Sequence, residues 1–513
     1  MGGLDPIGLQ VMLGALASIC EEMGAVLIRS AHSANIKERR DCSTALFDAT
    51  GEMVSQAEHI PVHLGSMPEA VAAIVAHEQI PGRSWIGNDP FAGGTHLPDV
   101  TVITPVFGAN GLLGFVAARA HHADIGGPTA GGMPANSRSL TDEGVVIAPQ
   151  PIGPKTLDEL AAAMRNPLER LADFRAQAAA NRIGVIRLEE LADRLGSEAV
   201  AAAMSSVLDY AERRCRGRLD ALKQFRSSAV DYLEAADGSD VELRVAAELN
   251  HDTLRFDFSG SAPQLDGNLN CPLTVTRSAT LFAVRALLDP DAPPSAGGHR
   301  PIEVSAPSGS ILNARPGAAV AAGNVETSSR VADLVIEALA AAIPAPAQGQ
   351  GTMNNLTLTC EQPGSAFTYY ETLGGGQGGA ADGPGPSAIH VAMSNTLNTP
   401  IEALELEFPL RVRELALRRG SGGAGAMVGG EGMVREIEAL APIEFNLITE
   451  RRRRAPRGRF GGGNGATGRN LKNGIELPAK CAGKLEPGDR LRIETPGGGG
   501  YGEPPVGRKA DGD

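Results

Sequence analysis

A chain of 513 residues, 42% hydrophobic and 21% charged, has room for a large core and for two or three domains. Its formal net charge of −14 argues against nucleic acid as a main partner. Six cysteines without a CxxC pair suit reduced thiols in a cytoplasmic protein, and 64 glycines against 4% aromatics point to tight turns and close backbone approaches rather than aromatic packing.

Asp5 followed by Pro6 reads as N-cap and first-turn proline of a helix running to about Ala31, with Ile7, Val11, Ala15, Ile19, Met23 and Leu27 as its apolar positions. No basic leader precedes it, and the apolar stretch Val11–Cys20 is too short to span a bilayer, so no membrane association is expected. Ala45–Phe47 and Met53–Ser55 read as a short hairpin around Thr50-Gly51. His59 and His63 lie in a loop that enters a helix near Pro68–His77. Pro61 disfavours a regular helix between them, and either imidazole is a candidate proton carrier.

The segment Asn88–Gly127 holds His96, Asp99, His121, His122 and Asp124. Its two apolar runs, Val100–Phe107 and Leu112–Ala120, are separated by Gly108-Ala109-Asn110-Gly111, and Asn-Gly is the strongest short hairpin signal. With Asn110 and Gly111 as the central turn residues, Val100 faces His121 and Asp99 faces His122. Two imidazoles and a carboxylate at one end of one hairpin form a divalent-metal site with open positions. Parity leaves His121 and His122 as alternatives, because a one-residue change of turn exchanges their faces.

Gly126–Gly144 is a loop of the kind that forms a lid or a substrate-binding surface. From Thr156 to about Phe225 the chain reads as stacked helices, with Thr156/Glu159 and Asn166/Glu169 as capping boxes and Pro167 in a first turn. Composition shifts near residue 235, which divides the chain into an N-terminal domain, 1–235, and a Gly-rich α/β domain, 236–513. In the second, Val241–Leu249 and Thr253–Phe258 read as strands, Ser328–Ile343 as a helix, and Gly-rich loops punctuate short strands up to Leu491–Glu494. The expected class is mixed α/β (α+β): a hairpin-based metal site, a helical middle and a Gly-rich mixed-sheet C-terminal part.

Gly463–Gly468 matches GxGxxG but has no strand before it and no helix-forming run after it, so it is rejected as a dinucleotide site. No GxxxxGK[ST] loop occurs, so any ATP used is not bound by that device; no GxSxG elbow occurs either. Gly374–Gly379 is either a packed loop or a close approach to a ligand or partner. The basic run Arg451–Arg454 with Arg457 and Arg459 is of a kind usually solvated or internally paired; the alternative is an anion site or a contact with an acidic partner surface.

Taken in order, EHIPVHLGSMPEAV, GNDPFAGGTHLPDVTVITPVF, RAHHADIGG, GGMPANSRS, DFRAQAAANRIG, DFSGSAPQLDGNLNCPLTVTRSA, GNVETSSR, TERRRRAPRGRFGG and RIETPGGGGYGEP resemble the hydantoinase B/oxoprolinase family from about residue 5 to Gly502. The resemblance implies a B subunit working beside a larger, ATP-binding hydantoinase A-type subunit. That partner phosphorylates a cyclic amide, and the B subunit completes hydrolytic ring opening. A homodimer core within a hetero-oligomer is expected. Related acetone carboxylases carry a divalent metal on a His, an Asp three residues on, and a His twenty-five residues after the first. These positions are His96, Asp99 and His121 here, which settles the tie toward His121. The ion would be Mn, Zn, Fe or Co, with His63, His122 and Asp124 as proton carriers or orienters. The chain looks too short for the carboxylase version. That activity, or a non-catalytic scaffold for the A subunit, is the alternative. Arg454 departs from the aromatic or apolar residue expected at its position.

Overall fold

The computed structural model describes residues 4–58, 60–362 and 366–505; the expectation for His59 lies outside them. Helix α1 (Pro6–Ser30) is capped by Asp5, whose carboxylate accepts the Gly8 amide at 2.6 Å. Its inner face is Leu9, Met12, Leu16, Ile19, Met23 and Leu27, while Ile7 and Val11 are 77% and 64% exposed. A strict four-residue repeat drifts around a helix of about 3.6 residues per turn, so the buried stripe mixes steps of three and four. By length and composition α1 is apolar enough to cross a membrane; in the fold its inner face joins a core with residues of the first sheet and of the helices described below.

Next come α2 (Ala34–Lys37), β1 (Cys42–Asp48), β2 (Met53–Glu58), α3 (Met67–Val75), β3 (Trp85–Gly87), β4 (Asp99–Gly108), β5 (Gly111–His121) and β6 (Gln150–Pro151). The strands form one antiparallel sheet, β2-β1-β5-β4-β3-β6. The expected hairpin is β4–β5, but its register is corrected. Gly108 faces Gly111 across Ala109-Asn110, so the turn closes one residue earlier than supposed. Val106 faces Gly114 and Phe107 faces Leu112, leaving Leu113 as a bulge that restores half the offset. Asp99 therefore faces His121, and Val100 faces Ala120.

The helical middle is α4 (Thr156–Ala162), α5 (Pro167–Leu195) and α6 (Ser197–Asp220). Neither capping box forms. Thr156 lies inside α4, and its hydroxyl accepts the Gly153 amide; Asn166 sits at φ 53 and makes no side-chain cap. Helix α5 is fastened to the first sheet by amides: Gln177 donates to the Val100 and Ala118 carbonyls and Asn181 to Val102.

Strands β7 (Phe225–Glu234), β8 (Asp240–Asn250) and β9 (Thr253–Asp257), helix α7 (Leu273–Leu288) and strand β10 (Ile302–Ser305) follow. The sheet order is β10-β9-β8-β7, with β10 parallel to β9. The composition shift at residue 235 falls in the turn between paired β7 and β8. Helix α8 (Ser328–Leu339) is preceded by a π-helical turn, Gly323–Thr327. The C-terminal part adds β11 (Asn355–Cys360), β12 (Phe367–Glu371), α9 (Ile401–Glu407), β13 (Leu410–Arg418), β14 (Gly432–Ala439), β15 (Ile443–Ile448), β16 (Arg469–Lys472), β17 (Ile475–Leu477), β18 (Lys480–Leu485) and β19 (Arg490–Glu494). They form two sheets, β12-β11-β15-β18 and β13-β14-β19-β16-β17, around a shared core that includes Leu358, Phe445 and Ile493. The class is α+β, as expected.

The glycine-rich segments are packed structure. Extended pieces near residues 374–379, 420–430, 456–465 and 496–502 are cross-linked through backbone groups: Gly430 N to Gln377 O at 2.8 Å, Gly498 N to Gly430 O at 2.9 Å, Gly500 N to Gly463 O at 2.8 Å. A Cβ on Gly376 would stand 2.0 Å from the Gly430 oxygen, so no side chain fits. The GxGxxG stretch belongs to this lattice. The basic run pairs with the protein's own acids: Arg451, buried, lies 3.2 Å from Asp231 and 2.9 Å from Asp333. Arg453 and Arg454 pair with Asp240, and Arg459 with Glu337.

Candidate metal centre

The antiparallel register places Asp99, first residue of β4, against His121, last residue of β5, and a turn carries His96 back over Asp99. His96 Nε2 lies 3.1 Å from Asp99 Oδ1, His121 Nδ1 lies 3.2 Å from the same oxygen, and the two nitrogens are 3.2 Å apart. Ligand atoms about 2.1 Å from a tetrahedral or octahedral ion stand about 3.0–3.4 Å from one another, so this triangle has the dimensions of a ligand face. All three residues are buried. Burial alone would raise the Asp99 carboxyl; the adjoining imidazoles of His96, His121 and His63 draw it well below its ordinary range. Burial pushes His121 down to about 4 and lowers His63. An ionised Asp99 carboxylate and an imidazole kept unprotonated at His121 suit a bound cation.

The second carboxylate oxygen of Asp99 fixes its angle. Thr95 Oγ1 donates to Oδ2 at 2.5 Å, Asn324 Nδ2 donates at 3.4 Å, and His63 Nε2 stands at 3.4 Å. His63 comes from a 3-10 turn, Pro61–His63, and its Nδ1 meets Ser43 Oγ at 2.9 Å. The backbone of His121 is held by Asn35, whose amide donates to its carbonyl, and by the Asp41 carbonyl, which accepts its N–H. The His121 ring stacks on Tyr370, with centroids 4.6 Å apart and planes at 15°. Behind Tyr370 its hydroxyl donates to Asn355 Oδ1, and Asn355 Nδ2 donates to Glu326. Asp41 is pushed up to about 7 by burial and by Asp99.

Two sequence candidates lie elsewhere. His122 points to the opposite side of β5, where Nε2 meets Gln177 at 2.9 Å and the ring packs on Phe174. The carboxylate of Asp124 accepts the amides of Gly126, Gly131 and Arg165, fixing the loop that starts there. Among the described residues neither makes a hydrogen bond or ion pair to the triangle. Sequence reasoning missed Thr95, Asp41, Asn324 and Tyr370. Asn324 lay in view within GNVETSSR, but nothing local ties it to a residue so distant in the chain.

A buried two-histidine, one-carboxylate cluster on a multi-sheet α+β scaffold defines a centre able to hold a divalent ion. Residues 5–504 match hydantoinase B/oxoprolinase, and the chain belongs to that family. It is 39% identical to the 5-oxoprolinase of Dictyostelium discoideum over 98% of this chain, and it spans only 40% of that relative's length. It is 29% identical to the B component of a putative D-/L-hydantoinase from Pseudomonas sp., covering 98% of this chain and 90% of that one. Among solved structures it superimposes on the ATP-dependent caprolactamase from Pseudomonas jessenii with a TM-score of 0.92 at 27% identity, covering 98% of this chain and 93% of the other. Acetone carboxylase shares the fold, with a TM-score of 0.87 at 17% identity over 98% of this chain and 76% of that one.

Proposed function

We propose that this chain is the ring-opening component of an ATP-dependent cyclic amide hydrolase, acting beside an ATP-binding subunit of the hydantoinase A type. The observation that carries the reading is the buried triangle of His96, Asp99 and His121; family membership and the likeness to a caprolactamase support it. A lactam or ureide resists water because its nitrogen donates into the carbonyl. Phosphorylation of the carbonyl oxygen by the partner removes that donation. Water then attacks the ring carbon, the C–N bond breaks and the nitrogen takes a proton; a second water cleaves the resulting acyl phosphate to carboxylate and phosphate.

His96, Asp99 and His121 would hold a divalent ion such as Mn, Zn, Fe or Co, which supplies Lewis acidity at the reacting carbonyl and activates water at neutral pH. Thr95 and Asn324 set the carboxylate of Asp99. His63, tied at Nδ1 to Ser43, presents Nε2 beside Asp99 and is the proton-handling group. His122 and Asp124 act as positioning residues, for α5 and for the loop after β5. A homodimer core within the hetero-oligomer completes the reading.

The test is co-expression with an A-type subunit and assay of ATP-dependent opening of caprolactam, 5-oxoproline and hydantoin. The expected result is release of ring-opened product and phosphate that needs both chains and is lost in His96→Ala. Unchanged turnover by His96→Ala protein stripped of metal would overturn it.

A further inference from the structure

A cavity of about 190 Å³ lies between α2, the start of α5, β12 and the end of α9. It backs onto the centre. Two of its lining residues are Asn35, which holds the His121 carbonyl, and Tyr370, which stacks on the His121 ring. Asn35 and Thr368 are 2% and 7% exposed, and each leaves one side-chain oxygen, Oδ1 and Oγ1, without a hydrogen-bond partner. Two carboxylates complete the lining. Glu169 leans on Arg170, and Glu407, at the exposed end of α9, makes no close ion pair among the described residues but feels the charge of Lys37. Phe408 and Tyr370 add aromatic surface.

Unpaired buried oxygens call for N–H donors, a surplus of carboxylate calls for positive charge, and aromatic faces attract cations. These three demands meet in an ammonium group. We propose that this cavity receives the ammonium end of the ring-opened product, an inference that rests on the cyclic-amide reading above. Opening of a lactam such as caprolactam or 5-oxoproline frees an alkyl amine, which is protonated at neutral pH because such amines titrate at about 10. The amine appears at the centre, and the cavity adjoins the centre through the two residues that hold His121. Burial raises both Glu169 and Glu407 despite the opposing charges of Arg170 and Lys37, and the charge of Glu407 adds to the shift at Glu169, consistent with carboxylates that gain from a further cation.

The test is calorimetric titration of the full chain at neutral pH with 6-aminohexanoate, n-butylamine and hexanoate. The two amines should bind, and hexanoate should bind at least about tenfold more weakly than 6-aminohexanoate, the difference expected of a charge-assisted hydrogen bond. Glu407→Gln and Thr368→Val should each weaken amine binding about threefold to tenfold. Glu402→Gln, on the same helix but outside the cavity, should leave it unchanged. Equal binding of hexanoate, no amine binding at millimolar concentration, or equal effects of Glu407→Gln and Glu402→Gln would each overturn the proposal. Binding is read without ATP, partner or turnover. Ring opening without amine binding would remove this subsite alone, and amine binding without ring opening would remove the hydrolase reading alone.

Discussion

Replacing Gly430 by alanine tests whether the glycine lattice is load-carrying structure. The new Cβ would stand 1.9 Å from the Pro386 oxygen. An ordinary carbon–oxygen contact is about 3.3 Å, so the deficit is about 1.4 Å. Neither side can retreat freely. The Pro386 oxygen accepts the Gln377 amide at 3.0 Å, while Gly430 donates to Gln377 and accepts from Gly498 at 2.8 and 2.9 Å. Relief requires breaking two such bonds, each about 1–2 kcal/mol when the groups stay buried, with an overpacking penalty of about 1–3 kcal/mol. The sum is about 3–7 kcal/mol, against a total of about 5–15 kcal/mol for a typical domain. Thermal unfolding should show a midpoint lowered by at least about 5 °C, or loss of soluble protein. The paired control is Gly217→Ala in α6, where a Cβ meets nothing within 4 Å; it should stabilise by about 0.5–1 kcal/mol. A Gly430→Ala protein with the wild-type midpoint would refute the argument.

Elemental analysis of purified protein should find a near-stoichiometric divalent metal that His96→Ala lacks and His122→Ala keeps; metal lost equally from both would remove the assignment. Glu326 is buried, its carboxyl raised from 4.5 to about 7 by burial and by Glu450. Since the folded value lies above the unfolded one, stability is fully present below 4.5 and is lost as pH rises toward 7, a total of about 3 kcal/mol. Glu326→Gln should therefore flatten the pH profile of the unfolding midpoint and exceed wild type at pH above about 8; parallel profiles would contradict this. Arg451→Met leaves Asp231 and Asp333 buried and short of a partner and should destabilise by about 3–5 kcal/mol. Exposed Arg453→Glu should change neither melting nor assembly by light scattering, and a shift in assembly would return the run to the interface.

The first helix and the β4–β5 hairpin were legible because cap, proline, periodicity and turn residues are all local signals. The register was not, since the bulge at Leu113 is imposed by a third strand. Gly114 lies against Phe47 of β1, where a Cβ would be 2.2 Å from the carbonyl oxygen, and that close seat fixes β5 relative to its neighbours. His96, Asp99 and His121 could be read from spacing, because one hairpin and one turn gather them. Asn324 and Tyr370 reach the centre only through contacts between distant parts of the chain, and a π-helical turn leaves no pattern that an ordinary helical period detects. His122 and Asp124 were drawn in by sequence adjacency, but past the end of β5 their side chains turn to Gln177 and to the following loop. How the glycine segments pack was not legible in the sequence, because their packing uses no side chains.

The π-helical turn at Gly323–Thr327 has a rotational consequence. Upstream of α8 it aims Asn324 at Asp99 and Glu326 at Asn355; downstream, Arg330 lies 3.6 Å from Asp231 and Asp333 meets Arg451. Each residue of a regular helix advances the azimuth by about 100°. Deleting one residue from the turn would therefore act as a twist rather than a shortening, and no single orientation of α8 would then satisfy both ends. The widened turn is thus a phase adjuster that lets one helix serve the candidate centre and a buried ion-pair network together.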